Sequence, residues 1–245
     1  MQEQFLNILS TNAAGLMCKA EDLKNKVRMY NRGIFAIQET HFRKKERFRL
    51  KDYHVFESIR KNKEKGGSML GIHVGLKPVL IQEYNDTFEL IVVEVKVADK
   101  EICIITGYGQ QENWEISERA PLYNSLEEEI TAAELQGQAV IIAFDANAKL
   151  GPKLIPGDLY EQSPNGFMLS GILERHAQCV VNGMVDKRKG LITREKCTTA
   201  GRKQSVIDFV IVTNDLIEHI ESIHVDDKRV HVLKKMSRLQ KDLNA

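Results

Sequence analysis

At 245 residues, with 42% apolar and 28% charged residues and a formal net charge of +1, the chain has the make-up of an ordinary globular protein. That length suits one large domain or two small ones. No apolar run approaches membrane-spanning length, and Met1-Gln2-Glu3-Gln4 lacks the basic-then-apolar order of a secretory signal. These features argue against a membrane partner and point to an intracellular protein, cytoplasmic or nuclear. Cys18, Cys103, Cys179 and Cys197 are far apart and form no Cys-x-x-Cys, so reduced core thiols are expected rather than zinc or disulfides.

The near-zero net charge conceals segregation. Residues 43–65 carry ten Lys/Arg against four Asp/Glu, and residues 228–245 carry six against one. Basic patches on a near-neutral chain suit a polyanion, though two solvated surface segments would look the same.

Along the chain, Phe5-Leu6-Asn7-Ile8-Leu9-Ser10 reads as a strand running to Thr11-Asn12. Leu23, Val27 and Tyr30 recur at helical spacing before the stop at Gly33. Ile34-Phe35-Ala36-Ile37 is a buried strand leading into Gln38-Glu39-Thr40. The basic stretch from Arg43 to Lys65 reads as loop with short strand pieces. Strands follow at 67–74, 88–97 and 102–106, the last two joined by a turn at Asp99-Lys100. Residues 114–136, rich in Glu, Leu and Ala, read as a helix. The apolar run Ala139–Phe144 is a buried strand, 166–178 a helix, 179–182 a short strand, 206–212 a strongly β stretch, and 219–225 a last strand. The expected fold class is α/β (α+β): two mixed sheets with helices outside.

Four strand ends carry polar residues of one kind: Asn12, Glu39, Asp145 with Asn147, and Asp208. Asp145 and Asn147, two residues apart after a buried strand, project to one side, where α/β proteins usually meet ligands. A helix cap or Asx-turn would use the same residues. Glu39 alone could be an exposed strand-end acid. Asp208 interrupts Val206-Ile207…Phe209-Val210, where a lone buried charge is expensive, so it calls for a metal or a partner such as Arg202 or Lys203. Together, three carboxylates and two amides make an oxygen-rich set suited to a hard divalent cation and a phosphate.

The order of these motifs resembles the endonuclease/exonuclease/phosphatase superfamily, the DNase I-like fold shared by apurinic endonucleases and LINE-type retrotransposon endonucleases. The residues carrying the resemblance are Asn12-Ala-Ala-Gly15-Leu16, Ile37-Gln38-Glu39-Thr40, Thr106-Gly107-Tyr108-Gly109, Asp145-Ala-Asn147-Ala-Lys-Leu-Gly151, Asn165-Gly166, Thr193-Arg194 and Ser205-Val-Ile-Asp208-Phe209. They cover about residues 4–225, and the Thr-Arg segment with the Asn-Ala-x-x-Gly ending fits the retrotransposon branch best. The resemblance implies a four-layer sandwich over 1–225, with 226–245 a charged C-terminal segment.

It also implies Mg²⁺ (or Mn²⁺) held by Glu39 with help from Asp208 or Asn12. Asp145 would orient or deprotonate a water, and Asn12, Asn147 and Tyr108 would hold the scissile phosphate. Asn165, Thr193, Arg194, Arg43, Lys44 and Lys45 would contact substrate phosphates or DNA. The implied activity is nicking of DNA to leave a 3′ hydroxyl, with further domains of a retroelement polyprotein as partners. The family's closing Ser-Asp-His has no counterpart, since no Asp-His dipeptide occurs in the chain. None of His219, His224 and His231 follows an Asp, so a missing last strand and impaired cleavage are expected. The alternatives are a catalytically silent binding or interaction remnant, and a phosphatase on the same fold.

Overall fold

The computed structural model describes residues 6–225 apart from 30–32, 44, 60–65, 99, 185–187, 190–191 and 199–200. Side chains of 184, 188–189, 195–198 and 201–203 are also outside the description. The strands are β1 (Ile8–Asn12), β2 (Ile34–Gln38), β3 (Tyr53–Ser58), β4 (Ser68–His73), β5 (Val79–Tyr84), β6 (Glu89–Val97), β7 (Lys100–Tyr108) and β8 (Ala139–Asp145). They continue with β9 (Gln178–Val180), β10 (Arg188–Lys189), β11 (Arg194–Thr198), β12 (Gly201–Ser205), β13 (Asp208–Thr213) and β14 (Ile223–His224). The helices are α1 (Ala20–Met29), α2 (Ile116–Leu135), α3 (Pro164–Arg175) and α4 (Val181–Met184).

One sheet has the order β1-β2-β4-β3 and the other β5-β6-β7-β8-β13-β9; β10-β14 and β11-β12 form separate pairs. Both large sheets are mixed. β1 runs parallel to β2 and β7 parallel to β8, while the remaining pairs in the two sheets are antiparallel.

Strand alternation builds three apolar layers. Ile34, Ala36, Leu70 and Ile72 of the four-stranded sheet face Ile91, Val93, Ile102, Ile104, Ile141 and Ala143 of the six-stranded one. The opposite parity of the larger sheet, Val92, Cys103, Ile105, Val140, Ile142 and Phe144, packs under Leu122, Leu126 and Ile130 of α2 and Leu169, Ile172 and Leu173 of α3. On the outer face of the smaller sheet, Phe35, Ile37 and Met69 meet Leu23 and Val27 of α1. The result is helix, sheet, sheet, helix. Gly71 is where the Phe35 ring lies directly against the β4 backbone, and an added Cβ would overlap the ring.

Several expectations are corrected. Residues 219–225 are not a strand: Asn214–His219 form a 3-10 turn and only Ile223–His224 pair, with β10. The short strand at 179–182 is shifted to Gln178–Val180, and Val181–Met184 are helical. β5, β11 and β12 were not foreseen. The thiols are not uniformly core: Cys103 is buried, which pushes it up to about 12, whereas Cys18 is exposed and Cys179 half-buried. The Cys197 side chain, the second basic run at 228–245 and His231 lie outside the described residues.

Candidate active site

Strand parity decides which polar side chains meet. On β7, residues 102 and 104 point between the sheets, so Thr106 and Tyr108 do too. On β8, residues 141 and 143 set the same direction for Asp145, and Val210 and Val212 set it for Asp208 on β13. The smaller sheet brings Asn12 and Gln38 into register at the ends of β1 and β2, with Glu39 one residue on. Gln38 is fully buried and donates to Thr106 Oγ1 at 3.2 Å, closing the floor between the sheets.

Above that floor the six expected residues converge. Asn12 Nδ2 donates to Asp145 Oδ2 at 2.9 Å, across 133 residues of sequence. The Asn147 N–H donates to Asp145 Oδ1 at 3.2 Å. Tyr108 Oη donates to Glu39 Oε1 at 2.6 Å, and His41 Nε2 stands 3.6 Å from Glu39 Oε2. Asp208 lies directly across the β13–β8 ladder from Asp145. Backbone strain accumulates here: Ala14, Glu39, His41 and Asn147 all have φ between 43° and 52°, in the left-handed region that non-glycine residues seldom occupy.

The electrostatics follow from burial. Asp145 is 2% exposed, and desolvation together with the Asp208 charge holds its carboxyl well above the usual range. Desolvation raises Asp208 to about 6, against the lowering effects of the Thr193 hydroxyl and the Arg194 guanidinium. The pair therefore keeps a proton at pH values where an isolated aspartate has lost it. Burial, then the Glu39 carboxylate, raises the Tyr108 phenol, so it stays a proton donor.

Among the described residues no group of three or more His, Cys, Asp or Glu is placed to hold a metal ion by itself. The donor set nevertheless fits a hard cation that keeps waters and shares its shell with phosphate. It is all oxygen and amide, and the Asp208 Oδ1 atom is buried with no hydrogen-bond partner. Asp145 and Asp208, both raised by burial and by the Glu39 charge, are in the state that added positive charge relieves.

The remaining expected contacts divide. Arg43, Lys45 and Arg194 are exposed, and Lys44 lies outside the described residues. Thr193 turns its hydroxyl inward, accepting from the Ile207 and Asp208 N–H groups at 2.9 and 3.1 Å, so it sets the start of β13. Asn165, expected at the substrate, is fully buried, and its side chain bonds to Arg119, Gln110 and Asn147. Arg119 went unnoticed in the sequence because nothing distinguishes it from a surface arginine in an acidic helix. Arg202 and Lys203, considered as partners for Asp208, have side chains outside the description.

No family model matches the chain, and no curated protein matches it by sequence. Solved structures do. The endonuclease domain of TRAS1, a telomere-specific non-LTR retrotransposon, aligns over 87% of this chain and 88% of that one with TM-score 0.62 and 19% identity. The 3′-5′ exonuclease NExo from Neisseria meningitidis aligns over 94% of both chains with TM-score 0.69 and 14% identity. The AP endonuclease LMAP from Leishmania major covers 87% of this chain and 80% of its own with TM-score 0.68 and 12% identity. At such identities the likeness is one of architecture: this chain has the fold of these solved structures.

Proposed function

We propose that the chain hydrolyses phosphodiester bonds in DNA with the help of Mg²⁺ or Mn²⁺, nicking one strand to leave a 3′ hydroxyl. The observation that carries this reading is the convergence of Asn12, Glu39, Tyr108, Asp145, Asn147 and Asp208 at one end of the cleft between the sheets, with Asp145 buried and proton-hungry. Asp145 accepts a proton from the attacking water as its oxygen bonds to phosphorus and the 3′ oxygen departs. A carboxylate held above its ordinary range is a better base near neutral pH than an exposed one. Asn12 and the Asn147 N–H fix its two oxygens, which is the positioning such a step needs. Asn12 and Asn147 present side-chain N–H groups to the phosphoryl oxygens, and Tyr108 would join them by exchanging its hydrogen bond to Glu39 for one to phosphate.

Glu39, with Asp208 and Asn12, would hold the cation, which when bound supplies charge neutralisation at the phosphate and the leaving oxygen. Exposed Arg43, Lys45 and Arg194 would grip flanking phosphates without reading sequence. The motif content and the fold shared with the TRAS1 domain support a retroelement setting, with other polyprotein domains as partners. DNA as substrate is in keeping with action in the nucleus.

The test is nicking of supercoiled plasmid with Mg²⁺, beside an EDTA control, Asp145→Ala and Glu39→Ala. Nicking that both variants leave unchanged defeats the proposal. A second reading rests on the lack of any Asp-His dipeptide: a folded chain that binds DNA in a salt-dependent way without cutting it would be a nucleic-acid-binding or protein-interaction remnant of the same fold.

A further inference from the structure

We propose that Arg119, on the first turn of α2, is a positioning residue for Asn147 and acts through Asn165. The inference rests on the hydrolytic reading above. Arginine is rarely buried without a counter-charge, yet Arg119 is only 7% exposed. It also sits at the end of a helix where the backbone dipole disfavours a cation. Its hydrogen bonds run to neutral acceptors: Nε donates to Trp114 O at 2.9 Å and Nη1 to Asn165 Oδ1 at 2.5 Å. No carboxylate among the described residues forms an ion pair with it. For stability alone an apolar side chain would serve as well or better.

What the guanidinium does is fix the sense of an amide. Arginine only donates, so the oxygen of Asn165 must face it and the NH₂ must face away. On that other side Nδ2 meets two groups that only accept, Gln110 O at 2.9 Å and Asn147 O at 3.1 Å. A flipped amide would oppose donor to donor on one side and acceptor to acceptor on the other. Asn165 thus ties the segment after Tyr108 to the turn after Asp145, with one orientation allowed.

The turn is gripped along its length. Three successive carbonyls are taken from three directions: Asp145 O by the Gly109 N–H at 2.7 Å, Ala146 O by Tyr123 Oη at 3.1 Å, and Asn147 O by Asn165. Asn147 itself has φ 43°, and its Nδ2 donates to Gly109 O at 2.8 Å. Releasing the Asn165 grip lets a strained residue relax away from the orientation in which its side-chain amide is held at the site. Displacements of about an ångström at such a site cost on the order of 100-fold in rate.

The experiment measures nicking kinetics of Arg119→Lys, alone and combined with Asn147→Ala. The expected result is a kcat lower by roughly 10- to 100-fold, the order set by misplacement, with KM for DNA unchanged. In the Asn147→Ala background the same change should cost less than about 3-fold, because there is nothing left to position. An equal loss in both backgrounds, as a merely structural arginine would give, overturns the proposal. Arg119→Gln, which keeps a donor for Asn165 and buries no charge, replaces the lysine variant if that one does not fold. The side-chain NH₂ resonances of Asn147 in ¹⁵N-labelled protein are followed in parallel. They should move when Arg119 is changed, and unmoved resonances overturn the positioning role whatever the activity. If the wild-type chain does not nick at all, the hydrolytic reading fails while these resonances still decide the role of Arg119.

Discussion

Replacing Asp208 with Asn should stabilise the metal-free protein, and the gain should grow with pH. Asp208 and Asp145 are directly cross-strand, which puts their Cβ atoms about 5 Å apart. At an effective dielectric of about 20, two like charges at that separation repel by about 3 kcal/mol. The raised proton affinity of Asp208, caused first by desolvation, has a similar size. A carboxyl moved from 3.8 to about 6 corresponds to about 3 kcal/mol of differential interaction. Because the folded value lies above the unfolded one, this stability is whole below about pH 4 and is lost as pH rises through about 6. Roughly 2 kcal/mol of it should disappear between pH 4.5 and 7.5.

Asparagine removes the charge and offers an N–H to Asp145, turning repulsion into a hydrogen bond. Urea unfolding of both proteins in EDTA, at pH 4.5, 6 and 7.5, reads the difference as a change in midpoint at constant slope. Nearly parallel stability–pH curves for the two proteins would refute the argument, since the pair would then carry no shared proton.

Saturating Mg²⁺ should reverse this ranking at pH 7.5. At 100-fold above its dissociation constant a native-state ligand adds about 2.7 kcal/mol, which thermal unfolding would register for the wild type and much less for Glu39→Ala. Tyr108→Phe removes the donor to Glu39 Oε1 and should slow Mg²⁺-supported nicking by about 10-fold, the scale of one lost hydrogen bond to a charged group. Its urea midpoint should change little. Gly71→Ala places a Cβ inside the Phe35 ring and should cost about 1–3 kcal/mol in urea unfolding without touching the cleft; a neutral result would mean that the ring has room to move.

How much of this was legible in advance depends on the range of the forces involved. Strand propensity is local, so the strands that carry Asp145 and Asp208 could be read from the apolar runs Ala139–Phe144 and Val206–Val212. Helical spacing likewise located α1 and α3, and composition located α2, to within a few residues. β5 escaped because Val79, Leu80 and Ile81 are all exposed on an edge strand and show no alternation. β11 and β12 escaped because Arg194-Glu195-Lys196 and Arg202-Lys203-Gln204 carry no apolar face from which to infer pairing.

The motif order singled out six residues that the fold brings together, and their amino-acid types alone suggested a cation and a phosphate as ligands. Tertiary structure alone decided that Asn12 reaches Asp145 across 133 positions, that Asn165 turns inward, and that an arginine in an acidic helix ends up beneath the turn after Asp145. The physical reason is that a side chain's chemistry travels with the residue. Its partner is set by which strands and helices the two sheets bring together, and that return path of the chain is written in no local pattern.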